Sequence, residues 1–161
     1  DEESTRFFNF ARSQTKGIIL DGIDNLMVNF GKCCNPIPGD ELIGFVTRGR
    51  GVTVHQSACK SLPLLSHESD RLIPVEWNVK SSDHFNVRLR VISQDYKGAL
   101  KDMSECISKQ NVNIASVDIK VKESVAVAHF IVQVKNNRQL NRLMRKMTKL
   151  KNVDYVERAG R

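Results

Sequence analysis

Phe85-Asn86-Val87-Arg88-Leu89-Arg90-Val91 is the stretch that decides the fold of the second half of this chain. Phe85, Val87, Leu89 and Val91 alternate with Asn86, Arg88 and Arg90, the period of two that marks a strand with one buried face. Working outward, Leu100, Met103 and Ile107 recur at helical spacing over 98–110, and Asn111 follows as a stop. Residues 113–122 and 125–134 are β-rich runs split by Glu123-Ser124, a hairpin. Leu140, Leu143, Met144, Met147 and Leu150 form one apolar helical stripe. Val153 to Val156 make a last strand. The order βαββαβ is a ferredoxin-like split unit, one antiparallel sheet with helices on one face.

Upstream the pattern is looser. Residues 1–16 are polar around Phe7, Phe8 and Phe10 and read as a lead-in helix or linker. Residues 17–80 read as a small β-rich module. Gly17-Ile18-Ile19-Leu20 and Leu26-Met27-Val28-Asn29-Phe30 are strand-like, with Asp21-Gly22 as the turn between them. Gly31-Lys32-Cys33-Cys34-Asn35-Pro36-Ile37-Pro38-Gly39-Asp40 holds two prolines, which forbid regular structure and make a rigid loop. Two more strands, 42–47 and 52–54, flank Arg48-Gly49-Arg50-Gly51. Ser57 caps a short helix over 58–65, and Leu72 to Trp77 close the module as one strand. A polar linker leads to the unit at 83–161. The fold class is α+β throughout.

Composition bounds the function. The chain has 161 residues, 40% hydrophobic and 27% charged, which is ordinary globular composition. No run approaches the roughly 18 apolar residues of a membrane span, and no apolar run follows a basic start, so a cytoplasmic protein with no membrane partner is expected. The first residue is not Met, which suggests a piece of a larger protein. The net charge of +7 is uneven. Residues 1–82 hold 9 Lys/Arg against 10 Asp/Glu, and residues 83–161 hold 16 against 8, so the second half alone is basic. A basic half suits an acidic partner such as nucleic acid, or simply solubilises the surface.

Of the four cysteines, Cys33, Cys34 and Cys59 fall in the first half with His55. Three thiolates and an imidazole are the donors of a Cys3His structural zinc site. His55 and Cys59 are spaced by about one helical turn, so both can face one ion. Cys33 and Cys34 are adjacent, so both can ligate only if the loop bends sharply before Asn35-Pro36. The spacing leaves two readings open: a zinc site, or three small buried cysteines beside a hydrogen-bonded histidine. A catalytic cysteine would need an oriented His and an oxyanion hole, and nothing here resembles one, so the chain is expected not to be an enzyme by itself.

Gly31 to Asp40, then Gly44-Phe45-Val46-Thr47-Arg48-Gly49-Arg50-Gly51-Val52-Thr53-Val54-His55, then Cys59, closely resemble the conserved-cysteine (zinc-finger-like) domain of the long RelA/SpoT enzymes, which make and degrade the alarmone (p)ppGpp in the bacterial stringent response. The second half resembles the ACT domain, also described as RRM-like, that ends those proteins. The resemblance implies a parent that is a GTP diphosphokinase, a (p)ppGpp hydrolase or both. Its catalytic domains lie upstream of this region, and its C-terminal half is regulatory. It implies contact with the ribosome near ribosomal RNA and restraint of those upstream domains. Carried over, Cys33, Cys34, His55 and Cys59 match the zinc-finger-like site, with zinc as the one cofactor.

Two surfaces are expected to meet RNA. Arg48 and Arg50 project from a glycine-rich turn whose backbone can approach phosphate. Arg138, Arg142, Arg145 and Lys149 step by four, three and four along a helix face, with Lys146 beside them and no acidic residue from Arg138 to Lys151. In 125–132, Ala128, Phe130 and Val132 face the core while Val127, His129 and Ile131 face out, so the sheet has no aromatic platform for stacking bases. The alternative function is sensing. ACT domains pair side by side and take amino acids where the first strand meets the first helix. Gln94-Asp95-Tyr96-Lys97-Gly98-Ala99-Leu100 resembles that turn, with Asp95, Lys97, Gly98 and Ala99 as ligand residues, a branched-chain amino acid as ligand and a homodimer as the assembly. Its other reading is a plain helix start capped by Asp95.

Overall fold

In the computed structural model the described residues are 18–20, 27–49, 51–80 and 82–160. The expected lead-in over 1–16, the Asp21-Gly22 turn and Arg50 lie outside them. The chain divides between Ser81 and Ser82 into two compact units. Among the described residues no helix is long and apolar enough to cross a membrane.

The first unit contains two small sheets. Strands β1 (Ile18–Leu20) and β6 (Val75–Trp77) pair antiparallel. Strands β2 (Val28–Phe30), β3 (Leu42–Thr47), β4 (Gly51–Gln56) and β5 (Leu72–Ile73) form the other sheet in the order β2-β4-β3-β5. β3 and β4 are a hairpin, whereas β2 runs parallel to β4. The hairpin turn needs glycine. Gly49 and Gly51 sit at φ of 79° and 78°, and a Cβ on Gly51 would lie 2.0 Å from the Met27 carbonyl oxygen. That oxygen accepts the Val52 amide at 2.7 Å, which starts the parallel pairing of β2 with β4. Val28, Val52, Val54 and Val75 make a small core, with Ile18, Phe30, Leu42, Val46 and Ile73 packed against it.

Three expectations for this unit need correction. β1 and β2 are not partners across a turn: one pairs with β6 and the other with β4. The run Leu72 to Trp77 is two strands, because Pro74 has no amide to continue a ladder and the chain changes sheets there. The helix starts later than expected. Ser57 donates its hydroxyl to Glu41 at 3.3 Å instead of capping, and helix α1 covers only Leu62–Leu65 before a 3-10 segment over Ser66–Arg71.

The second unit has the expected βαββαβ order. β7 (Phe85–Gln94), α2 (Ala99–Lys109), β8 (Asn113–Lys122), β9 (Val125–Val134), α3 (Asn137–Thr148) and β10 (Val153–Ala159) give an antiparallel sheet in the order β10-β7-β9-β8. Glu123 and Ser124 both take positive φ, 51° and 67°, as a two-residue hairpin with right-handed twist demands. Asn111, at φ 55°, stops α2. Asn136 caps α3 by accepting the Gln139 amide at 2.9 Å, and the Gln139 side chain accepts the Lys135 amide at 2.8 Å in return. Val87, Leu89, Val91, Ala128, Phe130 and Val132 are fully buried against Met103, Ile107, Leu140, Leu143 and Met147. The core face of α2 is Ala99, Met103, Cys106 and Ile107; Leu100, expected inside, is one position off that stripe and 44% exposed.

Two β-bulges decide which side chains face out. One falls between Ile114 and Ser116, so Val117 pairs with core-facing Phe130 and not with an outward residue. The other falls between Val153 and Tyr155, so Tyr155 stands opposite Ile92 on the outer face, although two residues apart should mean the same face as Val153. Tyr155 is 50% exposed there. The outer face therefore does carry an aromatic, on edge strand β10, beside the row Ile92 and Val127. Val127, His129 and Ile131 face out as expected, each half-buried.

Candidate metal centre

The four Cys/His side chains converge. Gly31 opens a tight turn in which the Asn35 amide donates to the Gly31 carbonyl at 2.8 Å and Asn35 takes φ 43°. This is the sharp bend that adjacent cysteines require. The loop is then pinned by Asp40, whose carboxylate accepts the Ile37 amide at 2.8 Å and the Gln56 side chain at 3.1 Å, while Ile37 is buried. His55 comes from the end of β4. Cys59 follows in a turn closed by its amide donating to the Gln56 carbonyl at 3.0 Å.

The ligand atoms of Cys33, Cys34, His55 and Cys59 all lie within 4.8 Å of one another. Cys33 Sγ is 3.2 Å from His55 Nδ1 and 3.4 Å from Cys59 Sγ, and Cys34 Sγ is 3.7 Å from His55 Nδ1. Tetrahedral zinc with bonds of about 2.3 Å to sulfur and about 2.0 Å to nitrogen separates its ligand atoms by roughly 3.4–3.8 Å; the donor set fits that ion in kind, and the separations of 3.2, 3.4 and 3.7 Å lie close to that range. Backbone amides support the sulfurs, Gln56 N–H to Cys34 at 3.3 Å and Ser61 N–H to Cys59 at 3.5 Å.

The electrostatics follow from burial. Desolvation pushes the Cys34 thiol up to about 12, against the opposing Gln56 amide and helped by the neighbouring Cys59 and Cys33. Burial also raises Cys59, but hydrogen bonds from Ser61, Cys33 and Cys34 outweigh it and leave its thiol below the ordinary value. Desolvation lowers His55, which favours the neutral imidazole that a metal needs. Metal entry must therefore displace protons from sulfur.

Sequence reasoning missed three supports of this site. Gly31 is one: a Cβ there would lie 2.6 Å from His55 Nδ1, so glycine makes room for the ring. Gln56 and the Ser61 amide are the others, and neither residue type marks itself out. A glycine directly before the Lys32-Cys33-Cys34 corner was the available signal for the first.

Of the proposed RNA residues among those described, Arg48 belongs to the first unit and the others to the second. Arg48 is paired with Glu68 at 3.5 Å; Glu68 also holds Arg71, whose guanidinium stacks over Phe45 at 4.9 Å. A phosphate at Arg48 would have to displace Glu68. Arg138, Arg142, Arg145, Lys146 and Lys149 are all exposed on and just after α3, opposite its buried Leu140, Leu143 and Met147. Among the described residues none of these five forms a salt bridge.

The β7–α2 turn borders a cavity of about 260 Å³ lined in part by Asp95, Gly98 and Ala99, with Met103, Ile119 and Ala128 also in its wall; Lys97 does not line it. Asp95 does not cap α2. Gly98 stands at that position with φ 93° and no side-chain cap. The Ala99 amide is already donated to the Tyr96 carbonyl at 3.1 Å, and the Tyr96 hydroxyl donates to Asp102 at 2.7 Å.

Residues 18–78 match the RelA/SpoT RIS domain and residues 81–158 match the ACT domain. A GTP pyrophosphokinase of Myxococcus xanthus is 40% identical over 148 residues, covering 91% of this chain and 19% of that protein. One of Escherichia coli K12 is 32% identical over 146 residues, covering 88% of this chain and 20% of that protein. The chain thus spans about a fifth of the length of the curated relatives it matches. Among solved structures, the ACT domain from the GTP pyrophosphokinase of Chlorobium tepidum is 29% identical and covers 47% of this chain and 99% of that one, with a TM-score of 0.44. The chain thus carries a RelA/SpoT RIS domain followed by an ACT domain.

Proposed function

We propose that this RIS–ACT pair is a non-catalytic, cytoplasmic regulatory part of a GTP pyrophosphokinase-type protein, contacting ribosomal RNA and controlling catalytic domains elsewhere in that protein. In this reading Cys33, Cys34, His55 and Cys59 hold a structural zinc. The ion would supply folding energy and no redox chemistry.

The observation that carries the RNA reading is the unpaired cationic face of α3. Five cations on about three turns of helix repel one another unless something acidic covers them. Structured RNA binding should weaken steeply with salt, with a slope of about 0.7–0.9 per phosphate contact. Replacing Arg142, Arg145 and Lys149 with Ala together should lower that slope by about 2. Binding with unchanged affinity and slope would overturn the reading.

A second reading is favoured by the cavity under the β7–α2 turn. Its apolar wall suits the side chain of a branched-chain amino acid, and the neighbouring α2 N-terminus suits a carboxylate. Such a ligand would tighten an ACT homodimer in proportion to its preference for the dimer. Gly98→Val is a poor probe, because φ 93° strains any branched residue. Leu100→Glu, at an exposed position of the wall, places a like charge there instead. Sedimentation that ignores the amino acid in both forms would remove this reading.

A further inference from the structure

We propose that Cys33 and Cys59 form an oxidation site, in which a peroxide converts the two thiols to a disulfide and so dismantles the four-ligand group. The loss of metal that follows rests on the zinc reading above; the disulfide itself does not.

Cys33 is exposed and Cys59 is buried behind it, their sulfurs 3.4 Å apart. An oxidant from solvent meets Cys33 first, and a second thiol waits within reach. The two come from separate loops, the turn after β2 and the turn after β4, so the bond would join segments 26 residues apart. Cys34 is the poorer partner for Cys33: neighbouring Cα atoms stand about 3.8 Å apart, short of the roughly 4.4–6.8 Å a disulfide spans. Cys34 is also tied down by the Gln56 amide at 3.3 Å.

The chemistry balances in two steps. The Cys33 thiolate attacks hydrogen peroxide: an S–O bond forms, the O–O bond breaks, and the departing hydroxide leaves as water once protonated. The Cys59 thiolate then attacks the Cys33 sulfenic acid: an S–S bond forms, the S–O bond breaks, and a second water leaves. Two thiols lose two electrons and two protons, and one peroxide gains both. A zinc ion is neither oxidised nor reduced. It loses two of four donors, and Cys34 with His55 alone are a weak site.

The test is hydrogen peroxide added to the purified, zinc-reconstituted 161-residue chain, with zinc release followed by a colour-forming chelator and the disulfide by peptide mass. Trypsin separates residues 33–48 from 51–60, so the expected product is a linked pair of these peptides, with about one zinc released per link and both reversed by dithiothreitol plus zinc. Cys34→Ser should still give the link and Cys33→Ser should not, which assigns the adjacent sulfurs. Cys106→Ser, in the second unit, should change neither readout. Peroxide treatment that leaves the peptides unlinked, or links Cys34 to Cys59 in the Cys33→Ser chain, overturns the proposal. A chain that never takes up zinc yet forms the Cys33–Cys59 link supports the oxidation site and overturns only the zinc reading.

Discussion

The two units of this chain solve the same problem with different means. The ACT unit builds a sheet whose alternate residues are apolar, and it buries Val87, Leu89, Val91, Phe130 and Val132 completely under two amphipathic helices. Among the described residues the RIS unit has strands of two to six residues and a cluster of four buried valines, with Ile37 and Phe45 buried besides. A unit of about 60 residues built on strands this short is marginal, and small domains of that kind are commonly stapled by metal or disulfide. The difference teaches where regular patterning suffices and where side-chain chemistry must complete the fold.

The largest effect that would break or sharpen this contrast is metal removal. Zinc free at a thousand times its dissociation constant adds about 4 kcal/mol to the unit that binds it. Chelation should therefore open the amides of β2, β3 and β4 to hydrogen exchange and leave those of β7 and β9 protected. Equal loss in both units, or in neither, would erase the contrast. pH adds a sign. In the metal-free chain the Cys34 thiol is raised by burial to about 12, so the folded state holds its proton more tightly than the unfolded state. That contribution is full below the ordinary thiol range and is lost as pH rises from about 9 towards 12. Zinc affinity should move the opposite way, growing with pH because protons no longer compete. Melting measured with and without zinc across this range checks both trends.

Next in size is a cavity in the ACT core. Phe130→Ala removes a side chain with no exposure and should cost about 3–5 kcal/mol, lowering only the transition of residues 82–160. A smaller cost would mean that the sheet and helices can close over the gap. The smallest is a cap: Asn136→Ala deletes the acceptor for the Gln139 amide and should cost about 1 kcal/mol, read by chemical denaturation of the same transition. Zinc content should be untouched by either change.

Much of the ACT unit was legible because its elements are long and periodic. The alternation in β7 and β9, the stripe in α3, the Glu123-Ser124 hairpin and the Asn111 stop are local, although Glu123 and Ser124 take positive φ against their own preference. The Cys/His quartet was legible as a donor set, since thiolates and imidazole at that spacing suggest a metal whatever the backbone does. Arg48 shows the limit of such reading: a charge looks free in a sequence until a distant Glu68 is folded against it.

What the sequence determined by itself was the order of elements, the βαββαβ identity of the second unit, and which residues had the chemistry to meet a metal or a phosphate. Tertiary structure alone decided the rest, because pairing between distant strands carries no local signal. It set β2 parallel to β4, where Gly51 lets the Met27 carbonyl approach, and it moved the chain between sheets at Pro74. It also turned Tyr155 outward, since one extra residue in a bulge reverses every side chain beyond it, and only the register against β7 records that the bulge is there.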